Sequence, residues 1–278
     1  MKWFLRIVLP FILLNLFLLG ISFYIPGRVG FIDRCSILME KTLVNQLDKL
    51  GSLSEPRHIK DDPYTADAFS YVELRPYLEE MKPGTLFFSD QGRAVSSFFI
   101  SGIWKHCGIY IGSKSQVEQY WGTDHEVVQI LSTYYASGNE YLIFDSSYEQ
   151  GVAIRDIKEM AELSHLSTLR RLLLFEYKQS KESLSQLLKS GLEYLGKSYD
   201  YCFVLEDKDA LYCSELLYHV CSLDQDNIRP SKKILGRDFL LPSDLVRYIA
   251  DEELNTGKYR CIGNISRSKG RLILSSLQ

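Results

Sequence analysis

The chain has 278 residues, of which 46% are hydrophobic, so it can bury one sizeable core or two small ones. Its 32 basic and 35 acidic residues give a net charge of −3. No segment has the clustered Lys and Arg of a nucleic-acid-binding surface, so no nucleic-acid partner is expected. The six cysteines form no C-x-x-C pair and no zinc-ligand spacing with histidine, so we expect no metal site, no cofactor and no dense disulfide framework.

The N-terminus carries Lys2 and Arg6 ahead of an apolar run over residues 7–25. This run is just long enough to span a membrane as a helix, and a basic flank before an apolar stretch is also typical of a secretory signal peptide. An A-x-A cleavage site is missing, which favours an uncleaved signal-anchor, with a cleaved signal peptide as the close alternative. We expect residues 1–26 to have this role and to place the chain in the cell envelope, membrane-anchored or exported, on the periplasmic side.

Residues 27–81 are expected to form a helical N-terminal extension. Residues 34–50 have Ile and Leu at helical spacing, and the polar residues 51–65 are typical of a loop. A second helix is predicted over residues 71–81, although Pro76 lies inside it. This extension precedes the part of the chain that carries the chemical motifs.

Residues 82–278 are expected to form one α+β domain, in which helices pack on an antiparallel sheet. The strands predicted from alternating or continuous apolar runs cover residues 85–89, 106–111, 116–121, 141–144, 151–154, 169–175, 259–262 and 271–274. The helices predicted from apolar spacing cover residues 94–104, 156–163, 180–195, 212–221 and 242–249. Residues 113–115 are predicted to be a hairpin tip that returns the chain beside the strand over residues 106–111, and residues 122–140 to be a polar insertion.

His106 begins the predicted strand with the sequence HCGIYIG over residues 106–112. A histidine at the mouth of a strand can direct its imidazole into a cleft, and its ordinary pKa lies in the range that suits a general base. Cys213 begins a predicted helix with the sequence YCSELLY over residues 212–218. The N–H groups at a helix N-terminus stabilise a thiolate and can donate to an oxyanion, so Cys213 is the candidate nucleophile and His106 its base.

A third polar side chain is expected to orient His106, because such a group fixes the tautomer of the imidazole. Asp145 follows the predicted strand over residues 141–144, and it is the preferred candidate. Glu118 is the alternative, since it lies on the strand predicted to return beside His106. Asp145 could equally serve only to start a turn.

Five segments occur in the order found in a known family: PGTLFF (83–88), HCGIYIG (106–112), GV (151–152), YDYCF (199–203) and YCSEL (212–216). In this order the chain resembles the permuted papain-like amidase family of the YaeF/YiiX type, which is related to the NlpC/P60 cysteine hydrolases. That family has its histidine before its cysteine, the reverse of papain, as here.

The resemblance implies a circularly permuted papain-like (NlpC/P60-like) fold with Cys213 as nucleophile and His106 as base. The third residue of the family is usually a Glu on the strand before a Gly-Val pair, and Asp145 stands nearest to that place. Tyr199, Asp200 and Tyr212 are expected to contact the substrate, although aromatic core packing would explain the tyrosines as well.

The expected activity is cleavage of an amide or ester bond through an acyl-enzyme, on a cell-wall peptide or a lipid-derived substrate. Two alternatives remain open, namely a lipid acyltransferase of the same fold and a non-catalytic envelope-binding module. The presence of both Cys213 and His106 counts against the binding module.

Overall fold

The structure, a computed structural model, describes residues 67–92, 100, 102–161, 168–200, 203, 205, 209–221, 228, 232–234 and 237–276. The predicted signal segment over residues 1–26 and the elements predicted over residues 34–50 and 51–65 lie outside these ranges. So does most of the helix predicted over residues 94–104. In the part of the chain that is described, no helix combines the length and the apolar character needed to cross a bilayer.

Local sequence signals explain where the helices begin and end. The helices among the described residues are, in chain order, α1 (Tyr71–Glu80), α2 (Lys114–Trp121), α3 (Glu126–Ser132), α4 (Ile157–Ala161), α5 (Lys181–Leu192), α6 (Cys213–Val220) and α7 (Pro242–Asn255). Ser180 caps α5 by accepting a hydrogen bond from the Ser183 N–H, and Pro242 occupies the first turn of α7, where its fixed φ suits a helix. The helices predicted over residues 71–81, 180–195, 212–221 and 242–249 are confirmed.

Most of the strands join one antiparallel sheet. The strands among the described residues are, in chain order, β1 (Thr85–Gly92), β2 (His106–Gly112), β3 (Leu142–Ser147), β4 (Gly151–Asp156), β5 (Thr168–Tyr177), β6 (Lys232–Ile234), β7 (Arg237–Phe239), β8 (Tyr259–Ser268) and β9 (Arg271–Ser275). Seven of them form the sheet in the order β4-β3-β2-β1-β5-β8-β9, while β6 and β7 pair separately. The predicted combination of helices with an antiparallel sheet is confirmed.

Helices cover both faces of this sheet. On one face Phe88 of β1 belongs to the same buried cluster as Leu216 of α6. On the other face Phe87, the preceding residue, belongs to a cluster with Leu78 of α1. Side chains alternate along a strand, so consecutive apolar residues of β1 supply two cores. The continuous apolar runs of the sequence are thereby explained.

The register of β2, β3 and β4 decides which polar side chains can meet. Gly108 lies opposite Asp145, and Ile143 lies opposite Arg155. Directly opposed residues share a face, and so do residues two apart along a strand. His106, Asp145 and Arg155 are therefore on the same face of three neighbouring strands.

The strand predicted over residues 116–121 is wrong, because this segment is helix α2. Ser113 caps the helix: its hydroxyl accepts from the Gln116 N–H at 3.3 Å, and the Gln116 side chain accepts from the Ser113 N–H at 2.8 Å. This reciprocal capping box makes residues 113–115 a helix start and not a hairpin tip. The second neighbour of β2 in the sheet is consequently β3. Part of the predicted polar insertion also folds, since its apolar patch forms α3.

Gly151 joins β4 to the segment that leads to Cys213. Its φ is +70°, and a Cβ placed there would lie 2.2 Å from the Lys197 carbonyl oxygen. The same carbonyl accepts a hydrogen bond from the Val152 N–H at 2.9 Å, and the Leu211 N–H donates to the Ser198 carbonyl at 3.0 Å. The close approach that only glycine permits thus helps to place the chain two residues before Cys213.

We expect Gly151→Ala to lower the free energy of unfolding by about 2–3 kcal/mol, because it combines an unfavourable φ with a backbone clash. Gly257→Ala is the matched control, since Gly257 has a φ of +67° but no atom within 4 Å of an added Cβ. Urea unfolding followed by circular dichroism measures both variants. Equal losses in the two variants would show that the contact with Lys197 is unimportant.

Candidate active site

His106 is the first residue of β2, and its ring is almost covered. The Nε2 atom lies 2.7 Å from Oδ2 of Asp145, and the side chain is 12% exposed. Because Nε2 is bound to a carboxylate, Nδ1 is the ring nitrogen that remains for the thiol. The carboxylate thereby fixes both the orientation and the tautomer of the imidazole.

The Phe87 ring packs against the imidazole of His106, and Gly108 leaves the space that this ring occupies. The Phe87 ring lies 6.1 Å from the His106 ring, measured between centroids. A Cβ at Gly108 would lie 2.7 Å from the Phe87 ring and 2.8 Å from the Phe144 carbonyl oxygen. A glycine two residues after His106 is therefore required for Phe87 to pack against the imidazole.

Asp145 is fully buried and is held from two directions. Besides the contact with His106, its Oδ1 accepts from Nε of Arg155 at 2.9 Å, and its Oδ2 accepts from Nη2 of Arg155 at 2.6 Å. Burial alone would raise the pKa of this carboxyl, but the charge of Arg155 and the bonds to His106 and Arg155 outweigh it and hold the pKa far below its usual range. Asp145 is thus an anion in the interior of the protein.

Cys213 is the first residue of α6 and is 2% exposed. The Cys107 thiol, the Cys107 N–H and the His106 ring are the neighbouring groups that lower its pKa. The bond from the Cys107 thiol is the largest effect, burial opposes it, and the bond and charge of His106 add to it. Together these contacts lower the pKa of Cys213 well below its ordinary value, and the positive end of the helix favours the thiolate as well.

The pKa of the His106 imidazole is raised, whereas the pKa of the Cys213 thiol is lowered. Burial would lower the pKa of His106, but the hydrogen bonds to Asp145 and Cys213 outweigh this effect and raise the pKa to about 9. Cys107 stays a neutral thiol, because burial raises its pKa well above the ordinary value and the neighbouring sulfur adds to this effect. The directions of these pKa shifts favour a thiolate–imidazolium pair in the resting site.

Several hydrogen bonds hold the nucleophile in place. The Ser146 hydroxyl donates to the Leu211 carbonyl at 2.6 Å, and the Ser214 hydroxyl donates to the Leu240 carbonyl at 2.8 Å. The Tyr212 N–H donates to the Glu215 carboxylate at 3.4 Å. Ser146 follows Asp145 on β3, so adjacent residues of one strand contact His106 and the segment that leads to Cys213.

Of the other predicted site residues, Glu118 lies away from His106, whereas Tyr199 and Tyr212 are buried in the cluster that contains Cys213. Glu118 is on α2, where its carboxylate lies 4.0 Å from the Lys114 ammonium, because the strand that would have brought it to His106 does not form. Tyr199, Asp200 and Tyr212, which were expected to contact substrate, are 7%, 3% and 2% exposed. The Tyr212 hydroxyl accepts a hydrogen bond from the Leu240 N–H at 3.3 Å. Tyr199 and Tyr212 belong to the same buried cluster as Cys213, and contact of these two residues and Asp200 with a substrate stays a prediction.

Three residues of the site were missed from the sequence, namely Cys107, Ser146 and Arg155. Cys107 adjoins His106, and an unpaired thiol beside a base was the available signal. Arg155 lies ten residues after Asp145, across a predicted hairpin, but only the register shows that the two share a face. Ser146 carried no signal, since its partner is a backbone carbonyl.

Comparison with known proteins agrees with the geometry. The sequence profile of the permuted papain-like amidase enzyme family, YaeF/YiiX, C92, matches residues 80–256. The chain belongs to this family. It is therefore a cysteine hydrolase of the papain-like amidase and peptidase class, as the order of its motifs predicted.

A solved structure described as the metalloprotein yiiX from Escherichia coli O157:H7 resembles the chain with a TM-score of 0.39 at 13% identity. The similarity covers 66% of this chain and 96% of the other. Among curated proteins none matches the chain. Within the described residues, no group of three or more His, Cys, Asp or Glu is arranged to hold a metal ion.

We expect the ionisation of the site to show two separate steps. On raising the pH, the Cys213 thiol loses its proton well below the pH of about 8.5 at which an ordinary thiol does so. The His106 imidazolium loses its proton only near pH 9, and amide turnover then falls because this proton must pass to the leaving amine. Iodoacetamide labelling of Cys213, followed by mass spectrometry across the pH range, measures the first step. A single midpoint at the value of an ordinary thiol would contradict the ion pair.

Cys107→Ala is expected to shift the labelling midpoint of Cys213 upward by about one pH unit, because a hydrogen bond to the thiolate is lost. Cys107→Ser should keep most of the effect, since a hydroxyl can also donate. Cys221→Ala removes another buried free thiol, at the end of α6, and serves as the control. A shift of the same size in Cys221→Ala would show that the effect of Cys107 is general loosening of the core.

Proposed function

We propose that the protein hydrolyses an amide bond of a cell-envelope substrate through an acyl-enzyme on Cys213, with His106 as acid and base and Asp145 as its orienting residue. The 2.7 Å contact between Nε2 of His106 and Asp145, which leaves Nδ1 for the thiol, carries this proposal. The membership in an amidase family supports the amide as the substrate bond.

Each step follows from the charges of the site. The Cys213 thiolate attacks the carbonyl carbon, and the carbonyl oxygen takes up an electron pair as an oxyanion. Backbone N–H groups at the start of α6 stabilise this oxyanion. The intermediate collapses when the C–N bond breaks, and the His106 imidazolium gives its proton to the leaving amine.

Hydrolysis of the acyl-enzyme reverses the proton transfer. His106, now neutral, takes a proton from a water molecule as the oxygen of that water attacks the thioester carbonyl. The C–S bond then breaks, the acid is released, and the thiolate–imidazolium pair is restored. The sum is amide plus water giving a carboxylic acid and an amine.

The substrate is proposed to be a cell-wall peptide or a lipid-derived acyl group. The basic residues Lys2 and Arg6 and the apolar residues 7–25 support a location at the envelope, either anchored or exported. At this location both kinds of substrate are available to the site. An alcohol or amine in place of water would convert the same acyl-enzyme into an acyltransferase.

The test is the release of amine from purified muropeptides and from N-acyl lipids, each with and without an added alcohol acceptor. We expect one substrate class to be hydrolysed, and Cys213→Ala to lose activity by about a thousandfold or more. Cys221→Ala, which removes another buried thiol, should keep its activity.

Three outcomes would count against the proposal. Activity that survives in Cys213→Ala would remove Cys213 as the nucleophile. Formation of an ester that outpaces release of the free acid would show acyl transfer as the main reaction. Binding to envelope fragments without turnover of either substrate would instead support a non-catalytic module.

A further inference from the structure

Arg155 lies at the end of β4 with its side chain 9% exposed. Arg155 lies opposite Ile143 of β3. Ile143 is two residues before Asp145 on that strand, so Arg155 and Asp145 are on the same face of the sheet. Its Nε and Nη2 atoms contact the two separate oxygens of Asp145 at 2.9 Å and 2.6 Å. This is the bidentate geometry in which a planar guanidinium holds a carboxylate in one plane.

The oxygen that Arg155 binds most closely is the one that His106 uses. Oδ2 of Asp145 lies 2.6 Å from Arg155 and 2.7 Å from Nε2 of His106. A carboxylate held at both oxygens cannot rotate, so the position of Oδ2 fixes where Nε2 lies and which way Nδ1 points. The guanidinium therefore acts on the thiol through two intervening side chains.

Arg155 also completes a charge balance. In the resting site Cys213 and Asp145 are negative, and His106 is positive. Buried charges are costly unless each has a partner, and without Arg155 these three side chains would carry one uncompensated negative charge. With Arg155 the linked row of four side chains is neutral.

We propose that Arg155 is a positioning residue of this hydrolase, which holds the Asp145 carboxylate in one orientation and balances its buried charge. The inference rests on the proposed role of Cys213 as nucleophile. The row then reads Cys213, His106, Asp145, Arg155, and it crosses the helix start and three adjacent strands.

Other ionisable groups that face this row are accounted for. Cys107 of β2 contacts the Cys213 sulfur as a neutral thiol. On α6 itself Glu215 binds the Tyr212 N–H, and the buried Tyr212 hydroxyl has a raised pKa, mainly through burial. From α4, Glu159 lies 3.7 Å from Nη1 of Arg155 but is 46% exposed. Solvent screens that contact, so Asp145 is the principal partner of Arg155.

The direct test compares the labelling of Cys213 by iodoacetamide in Arg155→Met and in the unaltered protein. Loss of the guanidinium leaves a net negative charge beside the pair, so the acid midpoint of labelling should rise by about one pH unit. Arg155→Lys keeps the positive charge but loses the bidentate contact with Asp145. Its labelling midpoint should therefore stay near that of the unaltered protein, while kcat falls because Asp145 is no longer held in one orientation.

Arg267→Met is the matched control. Arg267 lies on β8, which β1 and β5 separate from β2 in the sheet order. Its side chain is also mostly covered, at 17% exposed, and its Nη2 lies 2.7 Å from the Glu73 carboxylate. This variant should lose stability without moving the labelling midpoint of Cys213. If the labelling midpoint of Cys213 is the same in Arg155→Met as in Arg267→Met, the inference is overturned. The proposed function would then still stand.

A second experiment tests the inference even where Arg155→Met folds poorly. In Arg155→Met with Asp145→Asn the buried row is neutral again, so the double variant should unfold at a higher temperature than Arg155→Met alone. If the second substitution lowers the melting temperature further, or if neither protein folds, charge balance is not what Arg155 provides. If Cys213 of the unaltered protein labels only as an ordinary thiol, the proposed function fails, and this inference fails with it.

Discussion

The contact between Asp145 and His106 is the interaction on which the rest of the site depends. A carboxylate in a protein interior stays ionised only with nearby compensating charge, and here Arg155 on one side and His106 on the other supply it. The ionised carboxylate in turn keeps the imidazole protonated, and the imidazolium favours the thiolate of Cys213. Each charge is stable because of its neighbour, so the reactivity of the thiol is a property of the whole row.

The sheet register makes this row possible. β3 places Asp145 on one face, and the next residue, Ser146, binds the Leu211 carbonyl ahead of the nucleophile. Two residues of a single strand thus control the base and the nucleophile independently. A shift of one residue in the pairing of β3 would exchange their faces and separate both contacts.

The sequence allowed Cys213 and His106 to be proposed as nucleophile and base, because both belong to short motifs at the start of an element. Asp145 was also predicted, from its place before a Gly-Val pair. Arg155 was not, since a lone arginine acquires meaning only when the register sets it beside Asp145. Glu118 is the alternative because residues 116–121 were predicted to return as a strand beside His106, whereas the capping box between Ser113 and Gln116 makes them a helix. Local capping decides the structure there.

The order of the strands has a consequence for synthesis on the ribosome. His106, Asp145 and Arg155 emerge long before Cys213, and β5 of the central sheet waits for β8, whose last residue is Ser268. A nascent chain that contains His106 does not yet contain Cys213. When Cys213 is added, β8, which pairs with β5, has not yet been synthesised. Cys213 therefore joins a chain in which the other three members of the row have already been synthesised.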